Sequence, residues 1–177
     1  MAPIDPPTLR DGALTLRQGG PEDVDAVTAA CQDPEIPRWT NVPSPYTRED
    51  AVQFLSAVPD AARDGTGVHL LAFEDDRLAG SFSVMEIGAE RDYGEIGYWV
   101  AAEARGRGVA TRATRLLRDW SARELGLTTL EILPHRDNAG SRRVAERCGF
   151  SAAGELRRAP RTEDAGEPAY MVYAWQA

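Results

Sequence analysis

The sequence predicts an α+β protein, a single domain built on a twisted mixed sheet of about seven strands with about four flanking helices. Its 177 residues, 42% of them hydrophobic, are enough for one domain with a buried core. After a first strand and two helices, three segments with period-two alternation follow one another directly. Later strands alternate with segments of helical periodicity. Strands in succession favour antiparallel hairpins, whereas strands separated by helices favour parallel crossovers, so the sheet should contain both directions.

The N-terminal part contributes one strand, two helices and a long loop to this prediction. Residues 1–11 are expected to form a flexible arm ahead of a domain that spans 12–177. Thr47 and Asp50 have the spacing of a capping box, which marks a helix start. A stretch with four prolines before Thr47 argues against regular helix there. The predicted elements are a strand at 12–17, a helix at 21–31, a loop at 33–46 and a helix from 48.

The remainder of the chain alternates in the way that a sheet with helical crossovers requires. Strands are predicted at 67–74, 78–87, 93–100, 129–134, 150–156 and 169–175. Helices are predicted at 108–125 and 138–147, and a charged loop at 157–166 precedes the last strand. The first three of these strands follow one another without a helix, so hairpin-like connections should join them.

Composition and charge exclude several classes of protein. The net charge of −8, from 20 basic and 28 acidic residues, argues against binding to nucleic acid. No apolar run could span a bilayer and the N-terminus lacks the apolar core of a secretory signal, so we expect a cytoplasmic protein without a membrane partner. Every basic residue is arginine, which excludes lysine chemistry. Cys31 and Cys148 stand far apart and the two histidines belong to no ligand cluster, so no metal site is expected.

A strand, a glycine-rich turn and a helix follow one another at 95–117, and together they predict an anion site. The turn contains Arg105, Arg107 and Gly108, and the backbone N–H groups at the start of the helix lack intrahelical partners. Thr111 stands where a dinucleotide fingerprint needs its third glycine, and no GxxxxGK occurs, so Rossmann and P-loop sites are excluded. An ordinary glycine loop with solvated arginines explains the turn alone equally well.

A second motif, N-x-x-S-x-x-V-x-E-x-x-G-F, runs from Asn138 to Phe150. Asn138 suits a helix N-cap and Ser141 the first turn, so capping alone could explain both. Gly149 suits the left-handed residue that closes a helix. The spacing predicts a short helix that follows one strand and leads into the next.

Taken together, the two motifs resemble those of the GNAT acyltransferases, in particular the RimJ/RimL-like N-acetyltransferases. The matching residues are EIGYWV at 95–100, R-x-x-G-x-A at Arg105, Gly108 and Ala110, and the motif from Asn138 to Phe150. The aromatic and proline-rich loop around Trp39 and Tyr46 is similar to the substrate-side segment of that branch. The resemblance covers residues 12–175 and implies an N-acetyltransferase that uses acetyl-CoA and needs no metal.

The resemblance also implies a GNAT fold, in which the sheet splays between the strand at 95–100 and the strand at 129–134. The pantetheine arm of coenzyme A would lie in that gap, paired with backbone groups of Trp99, Val100 and Ala101 and bonded by Asn138. Ser141 would lie near the thioester sulfur. The residues implied in binding the pyrophosphate are Arg105, Arg107, Gly108, Val109, Ala110 and Thr111.

Direct attack of an amine on a thioester needs a base, an oxyanion donor and a donor to the departing thiolate. Glu95 is the candidate base, either directly or through water, and an ion pair with an arginine is its alternative role. Ser141 is the candidate donor to the thiolate, with capping as its alternative role. The backbone N–H of Val100 is the candidate oxyanion donor.

The acceptor is expected to be a primary amine, on a small antibiotic-like molecule or at a protein or peptide N-terminus. Five residues are candidates to line the acceptor site, although each could instead belong to the core, which fits Met85 and Trp99 at least as well: Trp39, Tyr46, Met85, Tyr93 and Trp99. His69 is interpreted as an ordinary strand histidine. A non-catalytic acyl-CoA sensor is the alternative function, and the presence of both Glu95 and Ser141 argues against it. The sequence is compatible with a monomer or a homodimer.

Overall fold

The computed structural model describes residues 1–156 and 170–177, and within them eight strands form one mixed sheet. The strands are β1 (Leu9–Asp11), β2 (Leu14–Arg17), β3 (Val68–Glu74), β4 (Arg77–Met85), β5 (Tyr93–Val100), β6 (Thr129–Ile132), β7 (Ser151–Leu156) and β8 (Tyr170–Gln176). Their order across the sheet is β1-β2-β3-β4-β5-β6-β8-β7. In this described part, β5 and β6 form a parallel pair and the other neighbours are antiparallel. The charged loop predicted at 157–166 lies outside the described residues.

Five α-helices accompany the sheet in the described part of the chain. They are α1 (Val24–Ala30), α2 (Glu35–Trp39), α3 (Arg48–Asp64), α4 (Val109–Glu124) and α5 (Ala139–Arg147). The predicted mixed sheet is therefore confirmed, with one strand and one helix more than expected. None of the helices in residues 1–156 and 170–177 is long and apolar enough to cross a membrane.

The prediction that 33–46 contains no helix was wrong, because the two prolines near α2 stand at positions that a helix tolerates. Pro34 occupies the position before the first helical residue, and Pro37 lies in the first turn. The N–H groups of a first turn have no intrahelical acceptor, so a proline there removes no hydrogen bond. The capping box predicted at Thr47 is present, since Thr47 accepts from the Asp50 N–H and the Asp50 carboxylate accepts from the Thr47 N–H.

Part of the segment expected to be an arm is joined to the folded domain. Leu9–Asp11 pairs antiparallel with β2 to form the edge of the sheet. Ile4 is buried, and its N–H donates to the carbonyl of Ala62 in α3 at 2.8 Å. Strand β1 was missed because three residues are too few for an alternating pattern to show.

Apolar residues are buried on both faces of the sheet. On one face, Phe82 and Leu130 belong to a large cluster that includes Leu117 of α4. On the other face, Leu71 packs with Val27 of α1 and with α3 in a second cluster. Each fully buried side chain of this size stabilises the fold by about 1.5–3 kcal/mol. The two clusters hold β4 and β5 between them, and these strands carry the site.

The sheet opens between β5 and β6 soon after the two strands meet. Their paired residues are Tyr93 with Thr129, Gly94 with Leu130, and Glu95 with Glu131. Beyond Glu95, β5 continues beside β4 as far as Val100, while β6 continues beside β8 as far as Ile132. The predicted splay between these two strands is confirmed, and Glu95 lies at the point where it begins.

Candidate active site

A cavity of about 830 Å³ extends from the opening in the sheet to the layer of α1 and α3. Seven of the residues singled out from the sequence line it: Trp39, Tyr46, Met85, Glu95, Trp99, Asn138 and Ser141. The residues of the glycine-arginine turn do not belong to this lining, and neither do Tyr93, Val100 and Ala101. The structure therefore brings the candidate base, the candidate donor and four candidate acceptor residues to one cavity.

The glycine-arginine turn leads directly into α4. Gly108 precedes the first helical residue with φ +79°, a left-handed conformation that side chains rarely adopt. The Arg112 N–H donates to the Gly108 carbonyl at 3.0 Å as the first hydrogen bond of the helix. The preceding amides, those of 108–111, therefore have no intrahelical acceptor and lie at the positive end of the helix dipole. The turn has the local geometry of an anion site.

Both arginines of this turn are engaged with carboxylates. Arg105 forms an ion pair with Asp33 at 2.6 Å and donates to the Val100 carbonyl at 3.0 and 3.2 Å. Arg107 forms an ion pair with Glu74 at 2.9 Å. Asp33 and Glu74 are both largely buried, whereas Arg107 is more than half exposed. Arg105 thus connects the turn to the loop that precedes α2.

Hydrogen bonds at the two ends of β5 show to which side of the strand its backbone N–H and C=O groups point. The carbonyl of Asp92, just before β5, accepts from the Thr129 N–H of β6 at 2.8 Å. The N–H of Ala101, just after β5, donates to the Ala79 carbonyl of β4 at 2.9 Å. Backbone groups of alternate residues point to the same side of a strand. The N–H and C=O groups of Tyr98 and Val100 therefore face the gap.

The same alternation decides which of the backbone groups predicted to pair with the pantetheine arm face the gap. Trp99 directs its backbone groups towards β4, where it pairs with Ser81. Ala101 has both groups engaged within the protein, because its carbonyl also accepts from the Ala104 N–H at 3.0 Å. Of the three residues predicted from the resemblance, Val100 alone directs its backbone to the gap, although its carbonyl already accepts from Arg105. Tyr98 faces the gap in the same way.

Glu95 is a buried carboxylate, 7% exposed, in the last residue pair before the sheet opens. It lies beside Met85 of β4 and Glu131 of β6, and its side chain lines the cavity. Tyr93, two residues earlier, donates its hydroxyl to Glu131 at 3.0 Å. Tyr93 was predicted to line the acceptor site, but it ties β5 to β6 outside the cavity.

Ser141 lies in the first turn of α5 and lines the same cavity as Glu95. Its backbone N–H donates to Oδ1 of Asn138 at 3.0 Å, so Asn138 caps the helix. Its Oγ lies 2.8 Å from the hydroxyl oxygen of Tyr98. Burial raises the pKa of Tyr98 to about 12, and its ring stacks on Phe82 at 5.4 Å. Tyr98 was not identified as a site residue from the sequence.

The end of the cavity that faces α1 and α3, called the acceptor end after its predicted role, combines aromatic and polar side chains. The Trp39 ring lies 5.6 Å from His135, and the Trp39 Nε1–H donates to Glu35 at 3.2 Å. Tyr46 is buried and packs in the cluster between α1 and α3. Met85 lies at the end of β4, beside Glu95. These three predicted residues thus border the acceptor end, and Tyr46 also belongs to the core.

Several polar residues at this end were missed from the sequence. They are Asp50, Gln53, His69, Ser81, Ser83 and His135. Burial lowers the pKa of His69, which keeps its imidazole neutral near pH 7. His69 pairs with Ser83, two residues before Met85, so the period of two in β3 and β4 places all three on one face. This alternation was the signal in the sequence that could have placed His69 and Ser83 beside Met85.

Comparison with known proteins assigns the chain to a family. The model of the acetyltransferase (GNAT) domain matches residues 13–151, which is most of the chain. The protein therefore belongs to the GNAT acetyltransferase family, and it is an acetyltransferase. This confirms the family resemblance of the two sequence motifs and the expected fold.

Relatives and structural neighbours extend over nearly the whole chain. The uncharacterized N-acetyltransferase p20 of Bacillus licheniformis is 28% identical over 153 residues, 85% of each chain. RimL, a ribosomal L7/L12 alpha-N-protein acetyltransferase solved with coenzyme A, superposes with TM-score 0.86 at 21% identity, covering 96% of this chain and 98% of its own. MccE, a microcin C7 self-immunity acetyltransferase solved with acetyl-CoA and AMP, superposes with TM-score 0.84 at 20% identity, covering 94% of each chain. At these identities the two structures show a shared fold.

Proposed function

We propose that this protein transfers the acetyl group of acetyl-CoA to a primary amine, by direct attack of the amine on the thioester. The observation that carries the proposal is the opening in the sheet. A buried carboxylate, Glu95 of β5, and a helix-borne hydroxyl, Ser141 of α5, both line the cavity at this opening. Amine attack on a thioester needs a proton acceptor on the acceptor's side and a donor on the side of the leaving group.

The residues around the gap fit coenzyme A. The amides at the start of α4 have no intrahelical acceptors, and they suit a pyrophosphate. The backbone groups of Tyr98 face the gap and suit an amide of a pantetheine arm, whereas the Val100 carbonyl is held by Arg105 and the Val100 N–H is left for the acetyl oxygen. Bound acetyl-CoA would supply an activated acetyl group as a thioester. RimL and MccE, which share the fold, were solved with coenzyme A and acetyl-CoA respectively.

Three groups have roles in the proposed reaction. Glu95 takes a proton from the attacking amine, directly or through water. The Val100 N–H donates to the carbonyl oxygen of the acetyl group as negative charge develops there. Ser141 donates a hydrogen bond to the sulfur as the carbon–sulfur bond breaks and the electron pair moves to sulfur. The proton lost by the amine balances the proton that the thiolate gains, so the enzyme ends unchanged.

The cavity's charge favours a cationic acceptor. Asp50 and Glu95 line the cavity, and no arginine does so in the described part of a chain with 20 basic residues. Side chains of α1, α3 and α2 surround the acceptor end, which favours a small amine over a folded protein surface. RimL is a ribosomal-protein acetyltransferase and MccE a microcin C7 self-immunity acetyltransferase, so the shared fold does not by itself choose the acceptor.

The test is release of coenzyme A from acetyl-CoA in the presence of small polyamines, aminoacyl compounds and short peptides with free N-termini. We expect at least one amine to raise the rate well above acetyl-CoA hydrolysis. Glu95→Gln should then lower kcat about 100-fold without weakening coenzyme A binding, because general base catalysis contributes about that much. Glu131→Gln is the matched control, since Glu131 pairs with Glu95 across the sheet but lies outside the cavity lining.

Two results would count against the proposal. If coenzyme A bound but no amine raised the rate, an acyl-CoA sensor would fit better than an enzyme of this mechanism. If Glu95→Gln and Glu131→Gln lowered kcat equally, the effect would come from the sheet rather than from a base at the cavity.

A further inference from the structure

A second hydroxyl lies beside the candidate donor Ser141. The Tyr98 hydroxyl oxygen is 2.8 Å from the Ser141 Oγ, and both residues line the cavity. Tyr98 comes from β5 and Ser141 from α5, so the hydrogen bond joins the two elements that border the cofactor side of the gap. Glu95 lies on the other face of β5, because it is three residues away on a strand. The hydroxyl pair and the carboxylate thus approach the gap from opposite faces.

The chemistry of a hydroxyl limits what Ser141 can do alone. A serine hydroxyl has one hydrogen to donate and two lone pairs to accept with. If Ser141 donated to Tyr98, it would have no hydrogen left for a departing sulfur. If Tyr98 donates to Ser141 instead, the Ser141 hydrogen is free to point into the cavity. The backbone N–H of Ser141 is already directed to Asn138, which holds the first turn of α5 in place.

We infer that Tyr98 is a positioning residue that donates its hydroxyl hydrogen to Ser141 and thereby fixes Ser141 as the donor to the thiolate. The inference rests on the proposed function, because it assumes that Ser141 faces the thioester sulfur. Tyr98 itself gives up no proton. In the transfer step the carbon–nitrogen bond forms, the carbon–sulfur bond breaks, and the sulfur receives the electron pair. The proton that the amine loses finally resides on the coenzyme A thiol.

Two further observations support this assignment. The ring of Tyr98 stacks on Phe82, with the ring centroids 5.4 Å apart and the planes 13° from parallel, so the hydroxyl has a fixed position. Burial raises the pKa of Tyr98 to about 12, so the phenol keeps its hydrogen through the neutral range. A phenol is also a better hydrogen donor than an aliphatic alcohol, since its own pKa of about 10 is unusually low for a hydroxyl.

The experiment compares Tyr98→Phe, Ser141→Ala and the double variant. Tyr98→Phe keeps the aromatic ring and removes only the hydroxyl. We expect kcat to fall about fivefold to tenfold, the value of one lost hydrogen bond, with little change in the KM for the acceptor. Ser141→Ala should lower kcat more than tenfold. In the Ser141→Ala background, Tyr98→Phe should change kcat less than about twofold, because Tyr98 acts through Ser141.

A second measurement needs no acceptor. The ultraviolet absorbance of the thiolate, followed against pH, gives the pKa of coenzyme A bound to the protein. Hydrogen bonds to a charged form lower the pKa of an acid. The thiol pKa of bound coenzyme A should therefore be lower in the wild type than in Tyr98→Phe, by about half a unit to one unit, since tenfold corresponds to one unit.

Tyr173→Phe is the matched control. The Tyr173 hydroxyl is also buried and also bonds α5, since it donates to Glu146 at 3.1 Å and accepts from Arg142 at 3.3 Å. It lies outside the cavity lining. We expect its loss to lower thermal stability slightly while leaving kcat and the bound thiol pKa unchanged. This control separates support of the helix from positioning of Ser141.

The outcomes distinguish this inference from the proposed function. If the wild type fails to bind coenzyme A, the proposed function fails and the inference falls with it. If coenzyme A binds but Tyr98→Phe leaves both kcat and the bound thiol pKa unchanged, only the inference is overturned. Full additivity in the double variant would also overturn it, because Tyr98 would then act independently of Ser141.

Discussion

The two sides of the gap are built in different ways. The side proposed for coenzyme A, called the cofactor side, consists of two continuous segments, the strand end, turn and helix start at 98–111 and the helix start at 138–141. The side proposed for the amine, called the acceptor side, collects single side chains from α1, α2, α3, β3 and β4 and includes Glu95 of β5. The cofactor side offers mainly backbone groups, and the acceptor side offers mainly side chains. The cofactor side is therefore defined by local conformation, and the acceptor side by tertiary packing.

The sharpest test of the cofactor side is Gly108→Asp. The left-handed backbone at this residue and the negative charge beside the orphan amides should weaken coenzyme A binding at least about 100-fold. Isothermal titration with coenzyme A measures the effect. Gly126→Asp is the matched control, because Gly126 follows α4 with φ +74° and an added Cβ there also meets open space. Equal losses in both variants would indicate backbone strain rather than a phosphate site.

The corresponding test of the acceptor side is Trp39→Ala. Removing this ring from the cavity wall should raise the KM for the acceptor about tenfold, since an aromatic contact is worth about 1 kcal/mol or more. The affinity for coenzyme A should stay the same, because Trp39 contacts Glu35, Arg38 and His135, and none of these three residues is proposed to bind coenzyme A. Initial rates at varied amine, together with titration of coenzyme A, check both statements. A tenfold loss of coenzyme A affinity would mean that the two sides are not separate.

One ion pair crosses between the two sides, and Asp33→Asn tests it. Asp33 holds Arg105 at 2.6 Å and also accepts from the Glu35 N–H at the start of α2. The asparagine keeps the second contact and loses the charge, so we expect about threefold changes in both the acceptor KM and the coenzyme A affinity. A change in one constant alone would show that the ion pair supports a single side.

The smallest effect concerns the pH dependence of stability at His69. The pKa of His69 is lowered by burial, whereas in the unfolded chain it is about 6.5. Below pH 6.5 the unfolded chain therefore binds a proton that the folded protein does not, and stability falls until the pH reaches the lowered pKa. Urea denaturation should show that His69→Gln loses less unfolding free energy than the wild type between pH 7 and pH 5. Parallel losses in the two proteins would contradict the buried, neutral histidine.

The same contrast explains what could be predicted from the sequence. The glycine turn at Gly108 and the helix cap formed by Asn138 and Ser141 were expected because such features have fixed local spacing, and the structure contains both, while the roles of these residues stay predictions. The splay was expected from the resemblance, and the register of β5 and β6 confirms it. The positions of Tyr98 and Tyr93 could not be predicted, because both are tyrosines on one strand and only the pairing with β4, β6 and α5 decides which one reaches the cavity.

The acceptor side was harder for a related reason. His69 and Ser83 are far apart in the chain, and they share the cavity only because β3 and β4 pair in one particular register. The short helix α2 was missed because proline was taken as a helix breaker, although in a first turn it is tolerated. Roles for Trp39, Tyr46 and Met85 in the acceptor site stay predictions until an acceptor is known.

The position of β8 has a consequence for how the protein folds. Among the described strands β8 comes last in the chain, yet it lies inside the sheet, between β6 and β7. Strands β6 and β7 both pair with β8, which follows them in the chain. This part of the sheet is therefore completed only when β8 takes its place between them. A chain that ends before Tyr170 would leave β6 and β7 each with an unpaired edge, which invites aggregation.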